Sequence, residues 1–158
     1  MRVLRPNNQG VIVQQTILPQ VTGLVRPLVG SSPTLVNLDK VIKGDPPMIC
    51  CSRFSGGLGD ILMTTPAVRA ISKKYNCKVD YATDLSYLEG GIERVLRHNP
   101  YISNIYSASD LPSKKDQYCS VVDFGCPCVV HEQPGAKPVN RIDLFARYVR
   151  LQLADTHV

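Results

Sequence analysis

The residues best suited to chemistry gather in one stretch, Arg53-Phe-Ser-Gly-Gly-Leu-Gly-Asp-Ile-Leu-Met-Thr-Thr-Pro-Ala-Val-Arg-Ala70. Gly56, Gly57 and Gly59 permit a tight strand-to-helix turn in which a ligand approaches backbone amides closely. Asp60 follows at the positive end of the predicted helix, where a carboxylate is stabilised and is available as a hydrogen-bond acceptor or a base. The order is G-G-x-G, with no G-x-G-x-x-G and no G-K-[ST], so neither a dinucleotide fingerprint nor a P-loop is present. The same residues also serve a purely structural arrangement, in which the glycines make the turn and Asp60 caps the helix.

Two further groups carry chemistry. Cys126, Cys128 and His131 offer three metal ligands, with Cys119 as a distant fourth. Their spacing matches no common zinc module, so no metal is expected, and most of the six cysteines read as small buried hydrophobes. Disulfides are expected only outside a reducing compartment. Asp123 ends a predicted strand, where ligands of open α/β sheets gather, and equally suits a strand end bonded to the next loop. His131 and Glu132 fall in a Pro- and Gly-rich stretch that reads as an exposed loop.

These residues need elements to hold them. The chain has 158 residues, enough for one ordinary domain, and 44% hydrophobic with 20% charged residues is a globular composition. Residues 1–47 hold six of the twelve prolines and only seven charged residues. Prolines interrupt every candidate strand there, which predicts an extended apolar arm that lies on a neighbouring chain. From Met48 the rhythm is strand, loop, helix. Met48-Ile-Cys-Cys51 reads as a strand buried on both faces. A helix is expected over Asp60–Tyr75, with Pro66 in its first turns. Strands follow at Lys78–Ala82, Ile102–Tyr106 and Tyr118–Phe124, with helices over Leu85–His98 and Arg141–Leu153. Strands alternating with helices imply an α/β fold with a doubly wound, mainly parallel sheet over residues 48–158.

Composition also excludes function classes. The net charge is only +5 and no Lys/Arg cluster occurs, so nucleic-acid binding is not expected. Trp is absent and aromatics are few, which argues against a base-stacking platform. No apolar run reaches the roughly 18 to 20 residues of a membrane helix, and Met1–Pro6 does not begin a secretory signal.

The stretch around Asp60 resembles the opening of the bacterial ADP-heptose:lipopolysaccharide heptosyltransferase family. Gly56-Gly-Leu-Gly-Asp60 and Thr65-Pro-Ala-Val-Arg-Ala70 are similar to its loop and first helix. Lys78–Ala82, Asn99-Pro-Tyr-Ile102, Tyr118–Phe124 and Asn140-Arg-Ile-Asp143 are similar to later pieces, in the same order. The resemblance implies the acceptor-side, Rossmann-like half of a GT-B fold, with Asp60 as the base that deprotonates the acceptor hydroxyl. It also implies that a second, donor-binding domain belongs after this half. Arg53 and Arg69 are the nearby cations for an anionic acceptor. Inverting transfer needs acceptor, base and donor together, and this half supplies only the first two. Two functions are therefore expected. One is a structural component of a larger assembly such as a phage particle, tied through the arm to other protein chains as an oligomer or multi-chain complex. The other is the acceptor-binding subunit of a split glycosyltransferase. No cofactor is expected, and the location is the cytoplasm or a virion.

Overall fold

The computed structural model describes residues 2–6, 12–16, 38–41, 46–54, 56–132, 134–154 and 157. Contacts divide the chain into Met1–Gly30 and Ser31–Val158. In the first unit, β1 (Arg2–Pro6) pairs antiparallel with β2 (Ile12–Thr16), Arg2 opposite Thr16 and Pro6 opposite Ile12. A proline at the end of an edge strand removes no ladder bond from a sheet interior. The remaining residues of the expected arm, apart from a short helix α1 (Leu38–Val41) and residues 46 and 47, lie outside the described residues. Leu38 of α1 is buried in the core of the second unit.

The second unit is a Rossmann-like α/β fold. Its sheet holds β3 (Ile49–Arg53), β4 (Val79–Thr83), β5 (Ile102–Ser107) and β6 (Ser120–Asp123), all parallel, in the order β5-β4-β3-β6. All five residues of β3 are buried, as a central strand covered on both faces requires. Alternation sends Ile49 and Cys51 to one face and Cys50 to the other.

On the first face the strands pack against α3 (Thr65–Tyr75), α4 (Gly91–Leu96) and α7 (Arg141–Tyr148). Ala67, Val68 and Ile71 of α3 and Phe145 of α7 are wholly buried there, with Val79, Tyr81 and Val122 of the strands. The Phe124 and Phe145 rings meet edge-to-face, with centroids 5.2 Å apart. Each such large side chain contributes about 1.5–3 kcal/mol by leaving water.

Three predicted helices differ from those found. The helix expected over Asp60–Tyr75 is two: α2 (Leu58–Leu62) and α3, broken at Met63 and Thr64. An unbroken helix would drive the Pro66 ring against the Leu62 carbonyl. The break instead puts Pro66 in the first turn of α3, while the Thr65 hydroxyl donates to Leu62 O at 2.8 Å and that of Thr64 to Ile61 O at 2.7 Å. The helix expected over Leu85–His98 is a 3-10 turn, Tyr87–Gly90, and then α4, because Gly90 takes φ +80°. The last helix stops at Tyr148 rather than Leu153. Arg150 takes φ +55°, Leu151 N–H donates to Ala146 O, and Arg150 N–H donates to Arg147 O. That pair of bonds is a Schellman stop.

Among the described residues, the other face is covered by the segment between β5 and β6, which includes α5 (Leu111–Lys114). Here a directed chain of polar groups crosses an apolar cluster of Cys50, Ala82 and Leu111. Tyr118 donates to the Asp80 carboxylate at 2.7 Å, and Tyr106 donates to the Tyr118 hydroxyl at 3.0 Å. The Cys50 thiol lies 3.0 Å from the Tyr106 oxygen, whose own proton is committed to Tyr118. Burial pushes the Cys50 thiol up to about 11 and the Tyr118 hydroxyl up to about 12.

Both groups have raised folded-state pKa values, so the unfolded chain releases their protons first as pH rises. Their contribution is full below pH about 9 and is lost as pH climbs through 11 and 12. Urea midpoints are expected to fall steeply over this window. Cys50→Ala should remove its share of the slope, on the order of 2 kcal/mol, while Tyr118 and the other groups raised by burial, Cys51 and Cys126 among them, still contribute. A slope unchanged in Cys50→Ala would show that the thiol is not held neutral by the fold.

Candidate ligand site at the carboxyl end of the sheet

In the order β5-β4-β3-β6, the chain leaves β3 toward β4 on one side and reaches β6 on the other. The carboxyl ends of β3 and β6 therefore flank the point where strand order reverses, where open α/β sheets bind ligands. Ser52 pairs with Asp123 at that end. The glycine turn leaves from β3 and α6 (Gly125–His131) leaves from β6.

Gly56 takes φ +117°, a conformation L side chains rarely adopt, and a Cβ there would lie 2.7 Å from Asp60 Oδ2. The glycine is thus demanded by the carboxylate it faces. Asp60 is the third residue of α2, not the first residue of a longer helix. From there Oδ2 accepts the Gly57 N–H at 2.9 Å, satisfying a backbone donor at the helix entrance. Asp60 Oδ1 accepts from Arg141 Nη1, and Arg141 Nη2 lies 2.6 Å from Glu132 Oε1. The carboxylate side chain remains 22% exposed. No side chain or backbone crowds the Cβ position of exposed Gly59.

The structure thus brings Gly56, Gly57 and Asp60 together and adds Arg141 and Glu132, which sequence reasoning had not singled out as site residues. Arg141 carries a signal. Asn140 caps α7 by accepting the Ile142 N–H at 2.9 Å, so Arg141 occupies the first turn, where a cation opposes the helix dipole. A cation in that position calls for an acidic neighbour. Glu132 carries no such signal: His131 and Glu132 read as part of an exposed loop, whereas Gly125–His131 forms α6 and Glu132 follows its end. Gly125, Pro127 and the adjacent cysteines disguise that helix, although proline is tolerated in a first turn.

Asp123 spends its carboxylate locally. Oδ1 accepts the Gly125 N–H at 2.8 Å and Oδ2 lies 3.4 Å from the Cys126 thiol, which organises the start of α6. Arg53 is 5% exposed and lies beneath the crevice. Its Nη1 donates to the Phe124 carbonyl at 3.0 Å, and its guanidinium lies 5.9 Å from the centre of the Phe145 ring. Arg69 donates to the His157 carbonyl.

The four candidate metal ligands do not converge: Cys119 donates to Met48 O, Cys126 faces Asp123, Cys128 is buried beside Arg53, and His131 ends α6. Among the described residues no group of three or more His, Cys, Asp or Glu is placed to hold a metal ion. All six cysteines are free thiols. No described helix is long and apolar enough to cross a membrane. No family model, curated protein or solved structure matches the chain.

Proposed function

We propose that this module is the acceptor-binding lobe of a glycosyltransferase-type catalyst, with Asp60 as the base. The observation that carries this reading is the position of Asp60. Its carboxylate is partly exposed at the reversal point of the sheet, on a turn where Gly56 has no room for a Cβ beside it. The likeness of Gly56–Asp60 and Thr65–Ala70 to the heptosyltransferase opening supports the same reading.

In the proposed reaction an acceptor hydroxyl gives its proton to Asp60 as its oxygen bonds to the anomeric carbon of a nucleotide sugar. The bond from that carbon to the diphosphate breaks, and the nucleoside diphosphate leaves with the electron pair. A donor-binding lobe must close over the crevice to supply that leaving-group site, on whichever chain it lies. Arg141 holds the resting carboxylate, and Glu132 gives Arg141 a second partner when Asp60 turns to the acceptor.

A second reading is a structural module that joins a larger assembly through its amino-terminal segment. It is supported by the same carboxylate, whose two oxygens already serve Gly57 and Arg141. Asp60→Asn separates the two. Asn retains an acceptor for the Gly57 N–H but cannot take a proton. With the donor lobe present, transfer from a nucleotide sugar is expected to fall 10²–10⁴-fold while the unfolding midpoint moves little. Unchanged turnover would remove Asp60 from the mechanism. Absence of transfer in the wild-type native complex, with co-purification of assembly proteins, would favour the structural module.

A further inference from the structure

A second cleft runs along α7, from Val139 just before the helix to Gln152 beyond its end, and Arg141 does not line it. It has a volume of about 510 Å³, within the 300–1,000 Å³ typical of ligand pockets. Leu144 and Tyr148 form its buried floor, and Val139, 37% exposed, stands at its edge. Three basic side chains stand around it: His131 from the end of α6, Arg147 from the last turn of α7, and Arg150 just past it. Among the described residues, no acidic side chain lines the cleft.

None of these three groups makes an ion pair among the described residues. Glu132, next to His131 in sequence, is committed to Arg141, and Asp143, one turn before Arg147 on α7, makes no ion pair with it among the described residues. Arg147 on its own is explained by the negative end of α7, which attracts a cation. Arg150 is not. It occupies the left-handed position of the Schellman stop, φ +55°, where glycine or asparagine is the usual occupant and a long side chain is strained. Arg147 and Arg150 are like charges three residues apart, which repel each other. The pattern is an apolar floor under a basic rim.

We propose that this cleft binds a small amphiphilic organic anion, its apolar body on Leu144, Tyr148 and Val139 and its anionic head between Arg147 and Arg150. The apolar floor contributes burial and the arginines contribute charge-assisted hydrogen bonds, so the ligand must present both features at once. A purely inorganic anion leaves the floor wet, and a neutral amphiphile leaves the rim unpaired. The proposal concerns a cleft that Asp60 does not line and does not depend on sugar transfer there.

The test is titration of the full chain with octanoate, octanol and inorganic phosphate, followed calorimetrically and by amide and methyl NMR shifts. Octanoate is expected to bind with Kd near 1 mM or tighter, with shifts centred on Leu144 and Tyr148. Octanol and phosphate are each expected to bind at least tenfold more weakly. The double variant Arg147→Glu/Arg150→Glu should lose octanoate binding at least tenfold, while Arg94→Glu on exposed α4 should not. Both arginines are exposed, so circular dichroism should report an unchanged fold. Equal binding of octanol and octanoate would overturn the proposal, as would phosphate matching octanoate or an unaffected double variant. Binding only to anionic phospholipid vesicles or to an acidic peptide, with none to octanoate, would overturn it in favour of those partners.

Discussion

Gly56→Ala is expected to destabilise the protein by about 2–3 kcal/mol and to disorganise the Asp60 turn. Two independent costs meet at this position. The backbone sits at φ +117°, where an alanine is strained whatever space surrounds it. The new methyl would also lie 2.7 Å from Asp60 Oδ2 and 2.8 Å from Asp60 Cβ, well inside contact distance. Relief of the Oδ2 contact requires the carboxylate to rotate away, which surrenders the Gly57 N–H bond and loosens the ion pair to Arg141, and relief of the Cβ contact requires the turn itself to shift. Urea unfolding reads the stability change, and hydrogen exchange at the Gly57 amide reads the lost cap. The double variant Gly56→Ala/Asp60→Ala removes the contacts with the carboxylate but keeps the one with the residue-60 Cβ and the backbone strain. It should therefore recover part of the loss, and no recovery would show that the carboxylate is not what demands the glycine. Gly125→Ala offers a milder comparison, since its methyl would meet Asp123 Oδ1 at 3.0 Å.

The parallel sheet was legible because its signal is physical and local. Met48-Ile-Cys-Cys51 is an unbroken apolar run, and β3 is buried on both faces as such a run demands. Repeated strand–helix alternation then leaves few topologies, and a parallel pairing of β3 with β4 and β6 is among them. Helix boundaries were less legible, because single residues decide them. Pro66 was placed in a first turn, but of one long helix rather than of α3. Arg150 stops α7 in a conformation that its identity does not announce. Asn140 announces its cap, whereas Gly125 to His131 conceal a helix behind glycine, proline and cysteine.

The site divides along the same line. Gly56, Gly57 and Asp60 are contiguous in sequence, so their proximity follows from a turn and needs no tertiary knowledge. Arg141 lies 81 residues from Asp60 and reaches it only because α7 and the glycine turn sit at the same end of the fold. No local pattern encodes that distance. The same holds for the Cys50–Tyr106–Tyr118–Asp80 chain, assembled from β3, β4, β5 and the approach to β6. Arg53 shows the converse error of proximity. Being near the loop in sequence made it a candidate for meeting a ligand, yet strand alternation turns it inward beneath the crevice, toward Phe145.

That inward turn makes Arg53 the second position where a large effect is expected. Arg53→Ala should cost about 3 kcal/mol, whereas Arg53→Met should cost less than about 1.5 kcal/mol. Among the described residues, the buried guanidinium has no carboxylate against it and its Nε has no hydrogen-bond partner. The groups that face it are the Phe124 carbonyl, the Phe145 ring, the Tyr81 hydroxyl and the Cys128 thiol. A buried cation this weakly compensated contributes little net stability, so replacing it with an apolar side chain of similar length should be close to neutral. Truncation to alanine is different, because it empties a volume between β3 and α7 beneath the Phe124–Phe145 pair and strips the carbonyl of its donor. Comparing urea midpoints of the two variants separates packing from charge. A methionine variant as unstable as the alanine one would show that the fold needs the guanidinium itself, which places the hydrogen bond to Phe124, and not the volume, in control of how the ends of β3 and β6 are held together.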